Sequence, residues 1–165
     1  MSVVIDQPGV LETDSVSVRT IRESDLDCVV KIDAAWSGRR RPRYFEGMFE
    51  RSLKNSPLQI SLAAELDGRV RGFLLASLYY GEYGIAEPSA SIDAIGVDPD
   101  ARGRSVGAAL MRQLRLNLGA LGVTRLRTEV EWNDHDLLRF LEKEGFLPAQ
   151  RLCLECRIDP TMPEM

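Results

Sequence analysis

The period at which apolar residues recur changes several times along this chain, and each change marks an expected element. Residues 15–19 read as a first strand, and 25–35 as a helix with Ser24 as its expected N-cap. After the Arg41-Pro42 break a second helix is expected over 44–53, with Phe45 and Phe49 on one face. Residues 58–65 and 69–79 are expected to pair across Asp67-Gly68, a dipeptide suited to the positive φ of tight hairpin turns. A Gly-containing stretch over 81–88 leads into a strand over 89–97. Val106, Ala109, Leu110, Leu114 and Leu118 then recur at helical spacing and predict a helix over 105–121. A strand over 124–131, a helix over 134–144 and a strand region over 146–158 complete the reading. Two helices between early strands, followed by β-α-β-α-β, predict an α+β fold around a sheet of mixed direction.

Composition narrows this picture. The 165 residues suffice for one domain that buries a sizeable core, expected over 15–165 behind an N-terminal tail of 1–14. Hydrophobic residues at 44% and charged residues at 28% are those of a globular protein. No apolar run approaches the ~20 residues of a membrane span, and no basic start leads into an apolar stretch, so a cytoplasmic protein without a signal peptide is expected. Three Cys suit a reducing compartment. Cys153 and Cys156 form a C-x-x-C within a stretch that alternates like a strand, where residues three apart face opposite ways. No second pair accompanies them, so no metal is expected. The net charge of −4 argues against nucleic acid as the partner of the protein's overall field. Arg39, Arg40, Arg41 and Arg43 are a local exception, readable as a solvated loop, as a phosphate grip, or as a guide for an acidic substrate or a cofactor's phosphate.

Candidate chemistry centres on the junction after residue 97. An apolar strand stops at Asp98-Pro99, and Arg102-Gly103-Arg104-Ser105-Val106-Gly107-Ala108 then opens the long helix. Amides at a helix start, small residues and two cations together make an anion site suited to a pyrophosphate. Gly96, inside the preceding strand, marks a bulge or a close backbone approach. Asp93 and Glu129 stand on the two strands that flank this junction, as candidate bases or as strand-edge carboxylates. His135, the single histidine, sits between acidic residues at a helix start, where an exposed first-turn position is the simpler account. Asn133 and Asp134 precede it, and either suits the helix N-cap.

The run Arg102-Gly103-Arg104-Ser105-Val106-Gly107 resembles the R/Q-x-x-G-x-G/A acyl-CoA loop of the GNAT superfamily of N-acetyltransferases. The strand before it resembles that family's fourth strand. Residues 137–146, ending in Gly145-Phe146, resemble its late helix, and 18–26 more loosely resemble its opening strand and helix. The resemblance implies a mixed, mostly antiparallel sheet flanked by helices, with a splay between strands 89–97 and 124–131. It further implies acetyl-CoA as acyl donor, bound by the amides of Ile95 and Val97 beside Gly96, by Arg102, Gly103, Arg104, Ser105, Val106, Gly107 and Ala108, and by Asn133 and Asp134. Asp93 or Glu129 would be the catalytic base, and Trp36, Tyr44, Phe45 and Phe49 would come from the helices that wall the acceptor pocket, although core packing explains Phe45 and Phe49 equally well. Tyr79, Tyr80 and Tyr83, where the hairpin exits into the 81–88 loop, would add to an aromatic lining. The acceptor would be the amine of a small molecule or peptide, which attacks the thioester carbonyl directly; a homodimer is open.

Two departures stand out. Ser105 occupies a position usually held by Gly, where a positive φ would strain it but a hydroxyl could bond a phosphate oxygen. The late helix carries Phe140 and Leu141 where many members have a Tyr that protonates the leaving thiolate. That absence is the main support for a competing reading, a non-catalytic acyl-CoA-binding module. A third reading is nucleic-acid binding through residues 39–43.

Overall fold

The computed structural model describes residues 16–54, 58–81, 84 and 86–161. The expected tail 1–14, Ser15 and Tyr83 lie outside the described residues. The chain divides after residue 129 into two compact units.

The first unit holds a five-stranded sheet in the order β1-β2-β3-β4-β5, made of Ser17–Thr20, Leu62–Leu66, Arg69–Tyr79, Ser89–Val97 and Arg125–Thr128. Successive strands pair antiparallel except β4 and β5, which are parallel. Such a pair needs a crossover, and α3 (Val106–Ala120) supplies it. The hairpin between β2 and β3 turns on Asp67 and Gly68, both at positive φ, as the dipeptide suggests.

Helices cover both faces. Alternation along β3 puts Phe73 and Leu75 on one face, where they join Val29, Val30 and Ile32 of α1 (Leu26–Ser37) and Phe45, Met48 and Phe49 of α2 (Pro42–Phe49). On the other face α3 buries Val106, Leu110, Met111, Leu114 and Leu118; four of these are the periodic positions read from the sequence, Met111 is added, and Ala109 is only half-buried. The close seating of α3 depends on Gly72. A Cβ there would stand 2.6 Å from Val106 Cγ1 and 3.2 Å from Leu110 Cδ1.

Several boundaries differ from expectation. A 3₁₀ turn over Glu23–Asp25 runs directly into α1, so Ser24 is not at the helix boundary and is not the N-cap. Asp25 accepts from the Arg22 N–H at 2.7 Å instead. The second helix starts at Pro42, whose missing N–H is harmless in a first turn, and passes after Phe49 into a π-type turn over Glu50–Lys54. The strand expected from residue 58 starts at Leu62, and that expected over 124–131 is only Arg125–Thr128.

The second unit holds α4 (His135–Lys143), with the Asp134 carboxylate accepting from the Leu137 N–H at 3.1 Å as its N-cap. Gly145 ends it at φ +84°, and the Phe146 N–H reaches the Leu141 carbonyl at 2.9 Å. This bond gives the Gly-Phe step its physical role as a helix stop. The strand region expected over 146–158 does not form. A strand exists through its ladder, no described neighbour pairs with this stretch, and Leu147, Leu152, Leu154 and Ile158 are exposed. Cys153 and Cys156 are free and exposed in the same irregular run, so the opposite-face argument based on a strand does not apply to them.

Candidate active site

The distinctive geometry lies on β4. Its register against β3 passes from Leu75↔Ala94 to Ala76↔Ile92, leaving Asp93 as the extra residue of a β-bulge. At the same level the ladder to β5 ends, its last pair being Ile92↔Thr128, with Thr128 Oγ1 also donating to the Ile92 carbonyl at 3.0 Å. From Ala94 to Val97 the strand continues against β3 alone.

Which groups face the opening follows from parity. The Asp98 N–H bonds the Arg71 carbonyl of β3 at 2.7 Å. Adjacent residues along a strand direct their backbone groups to opposite edges. Gly96 therefore faces β3, while Ile95 and Val97 turn their amides to the side that β5 has left. The Val97 carbonyl, on that side, accepts from Trp36 Nε1 at 2.6 Å. The bulge sits at Asp93 rather than at Gly96. Gly96 instead answers a close approach, because a Cβ there would lie 2.6 Å from Phe73 Cε1 and 3.2 Å from Ile32 Cγ2.

Asp93 is exposed and accepts from Ser77 Oγ at 2.5 Å. Ser77 lies two and four residues beyond Leu75 and Phe73 on β3, so the pair belongs to the face covered by α1 and α2. The part played by Ser77 was not apparent from sequence. The signal that existed was Asp93 itself, a residue poorly suited to a strand interior.

The junction beyond β4 is a stack of small turns. Asp98 caps the 3₁₀ turn Pro99–Ala101 by accepting from the Asp100 N–H at 3.0 Å and pairs with Arg71 Nη1 at 2.6 Å. Partial burial works against ionising Asp98, but these two donors outweigh it and hold the carboxyl below its usual range. Gly103 (φ +79°) and Ser105 (φ +62°, ψ 18°) both adopt left-handed conformations, and α3 starts at Val106 with no side-chain cap from Ser105. The first intrahelical bond runs from the Ala109 N–H to the Ser105 carbonyl. The amides of Val106, Gly107 and Ala108 thus open the helix at its positive dipole end. Both loop cations are held close by: Arg102 lies over the Trp36 ring at 5.5 Å, and Arg104 Nη1 pairs with Asp67 Oδ2 at 3.1 Å.

The first unit therefore brings together Asp93, Ile95, Gly96, Val97 and the loop from Arg102 to Ala108. Glu129 is exposed just past the end of β5. Asn133 and Asp134 belong to the second unit, in the turn and cap before α4, with His135 exposed as its first residue. Of the aromatic residues, Phe45 and Phe49 are core, Trp36, Tyr44 and Tyr80 are exposed, and Tyr79 lies under the Arg127 guanidinium at 4.9 Å. No described helix is long and apolar enough to cross a membrane.

Comparison with known proteins gives a family and a fold. The family model described as the acetyltransferase (GNAT) family matches residues 22–146. A transcriptional regulator from Bacillus halodurans C-125 superposes with TM-score 0.73 at 22% identity, over 87% of this chain and 100% of that one. An aminoglycoside N-acetyltransferase solved with a bisubstrate analogue, CoA-S-monomethyl-acetylneamine, gives 0.72 at 19% identity, over 88% and 99%. A ribosomal-protein-alanine N-acetyltransferase from Brucella melitensis biovar Abortus 2308 gives 0.68 at 19%, over 88% and 100%.

Proposed function

Since the chain belongs to the acetyltransferase (GNAT) family, and is thereby an N-acetyltransferase, we propose that it moves an acetyl group from acetyl-CoA to a primary amine by direct attack, with Asp93 as base. The observation that carries this reading is the coincidence at one point of β4 of the bulge, the end of the β5 ladder and a carboxylate. Acetyl-CoA, when bound, supplies the activated acetyl thioester; the rest is the work of this chain's residues.

The chain suits such a donor. The amides of Ile95 and Val97 are offered at the strand edge for the donor's amide-bearing arm. The helix-opening amides of Val106, Gly107 and Ala108, with Arg102 and Arg104 beside them, suit a pyrophosphate. Amides aimed where negative charge develops need no reorganisation during reaction, which is the strongest form of electrostatic help. An amine attacks only when neutral, and a lysine or α-amine is largely protonated near pH 7. The Asp93 carboxylate takes that proton on its outer oxygen, while Ser77 Oγ holds the other oxygen and fixes the rotamer. Glu129 is the second candidate base. The leaving thiol's pKa is near that of free Cys, ~8.5, so its thiolate departs without a dedicated acid; Leu141, at one of the positions where an acid is usual, is buried.

The test is thiol release from acetyl-CoA with a panel of small amines and peptides. Turnover is expected for at least one class of acceptor, and Asp93→Asn should lower kcat by about 10²–10⁴. Tight acetyl-CoA binding without turnover on any amine would favour the non-catalytic binding module. An unchanged kcat in Asp93→Asn together with a loss in Glu129→Gln would move the base to Glu129.

A further inference from the structure

The loop between α1 and α2 carries cations that the fold does not use. Its geometry is defined: Gly38 ends α1 at φ +70° with its N–H on the Ala34 carbonyl, and Ser37 Oγ donates to the Arg39 carbonyl at 3.0 Å. Arg41 is structural. Its Nε and Nη2 grip Asp33 at 3.0 and 2.5 Å, and its guanidinium lies 4.8 Å from the centre of the Tyr44 ring. Arg39, Arg40 and Arg43 are exposed, and none has an ion-pair partner among the described residues. Elsewhere in the same unit Arg19, Arg71 and Arg104 each have a carboxylate within 3.1 Å.

This cluster stands beside the proposed site. Trp36, three residues before Arg39, bonds the Val97 carbonyl on the edge of β4 left by β5, and Arg102 of the donor loop covers its ring. α1 also packs against the Pro99–Ala101 turn that opens that loop. The loop therefore leaves α1 beside the open edge of β4, with three like charges in five residues. No carboxylate among the described residues offsets them, so an acidic partner would gain their full attraction.

We propose that this loop selects the acceptor, and that the acceptor is a peptide with acidic residues next to its reacting amine. The proposal rests on the acetyl-transfer reading. Three guanidiniums spread along an exposed loop, with no shared buried focus, match charges strung along an extended chain better than one small anion. Arg forks bind carboxylates in pairs of hydrogen bonds, which adds direction to attraction. The same charges repel a polycationic acceptor, so selection works by rejection as well as by capture. A nucleic acid would meet the opposing field of a protein whose net charge is −4.

Fluorescence anisotropy of labelled decapeptides on the CoA-loaded protein tests this, with peptides of acidic, neutral and basic residues after a common N-terminal residue. The acidic peptide should bind at least tenfold tighter than the neutral one, about 1.4 kcal/mol. That margin should shrink as salt is raised from about 0.05 to 0.5 M. The triple variant Arg39→Ser, Arg40→Ser, Arg43→Ser should lose the margin while its acetyl-CoA Kd is unchanged, and the corresponding Lys variants should keep part of it. Equal binding of all three peptides overturns the proposal. So does a raised acetyl-CoA Kd in the triple variant, which would put these arginines on the donor's 3′-phosphate. Displacement of the peptide by an oligoribonucleotide that binds the protein more tightly also overturns it. The two readings fail separately: selective binding without acetylation sinks acetyl transfer but not the surface, whereas acetylation indifferent to peptide charge sinks the surface alone.

Discussion

Ser105 is the residue at which local cost and site geometry meet. It sits at φ +62°, where its Cβ crowds the following carbonyl, a conformation costing roughly 1–2 kcal/mol for a residue with a side chain. Its hydroxyl recovers none of this by capping α3. Glycine adopts the conformation freely, though it gives up some of the gain through a more flexible unfolded chain. Ser105→Gly should therefore stabilise the protein by about 0.5–1 kcal/mol in urea denaturation. Acetyl-CoA affinity in the same variant reads out the hydroxyl: an unchanged Kd means that only the backbone matters there, and a loss means that the hydroxyl bonds a phosphate oxygen. The strain at this position was foreseeable once the loop motif was seen to want glycine. The Ser77–Asp93 bond was not foreseeable, because it depends on a register shift between strands that no single-strand pattern encodes.

At the level of elements, what the chain's own pattern specified was what local chemistry decides. The Asp67-Gly68 turn, the limits of β4 and the periodic face of α3 all follow from residues close in sequence. The length of β5 and the fate of residues 146–158 depend on a partner strand, and there alternation misled: Leu152, Leu154 and Ile158 alternate without pairing and stand exposed. Ser24 misled for another reason, since a 3₁₀ turn moved the helix boundary past it. Gly96 was read for its backbone, but it is the partner element that requires it. With Phe73 Cε1 at 2.6 Å from any added Cβ, Gly96→Ala has to push the ring or the strand aside. Overpacking of this kind costs typically about 1–3 kcal/mol. Because the same shift disturbs the amides of Ile95 and Val97, the variant should also bind acetyl-CoA more weakly at a temperature where circular dichroism finds it fully folded. A Gly96→Ala protein with wild-type stability would show that β4 can move away from α1 without penalty.

Across the molecule, carboxylates paired in the folded state set the response to acid. Asp25 is buried, and burial alone would raise its pKa. The two-pronged Arg19 contact at 2.8 and 2.9 Å and the Arg22 N–H outweigh that effect and leave it below its usual 3.8. Asp98 is lowered in the same direction by Arg71. For groups depressed on folding, the stabilisation is complete above the unfolded pKa and disappears as pH falls through the folded one. Urea midpoints should thus hold steady from about pH 7 to 5 and fall steeply below about pH 4. Asp25→Asn should cost about 3 kcal/mol at neutral pH, the low end for a broken buried pair because Arg19 keeps Glu65. Its acid fall should be correspondingly shallower. An equally steep fall in that variant would assign the acid sensitivity to other carboxylates.

The bulge at Asp93 has a consequence that substitution alone would not reveal. One supernumerary residue interrupts β4 at the level where its parallel neighbour ends, so the open edge depends on the count of residues rather than on their identities. Point changes along this strand would alter what that edge holds. Deleting Asp93 would instead restore an uninterrupted ladder to β3, and the proposed donor site would be lost with every other side chain still present.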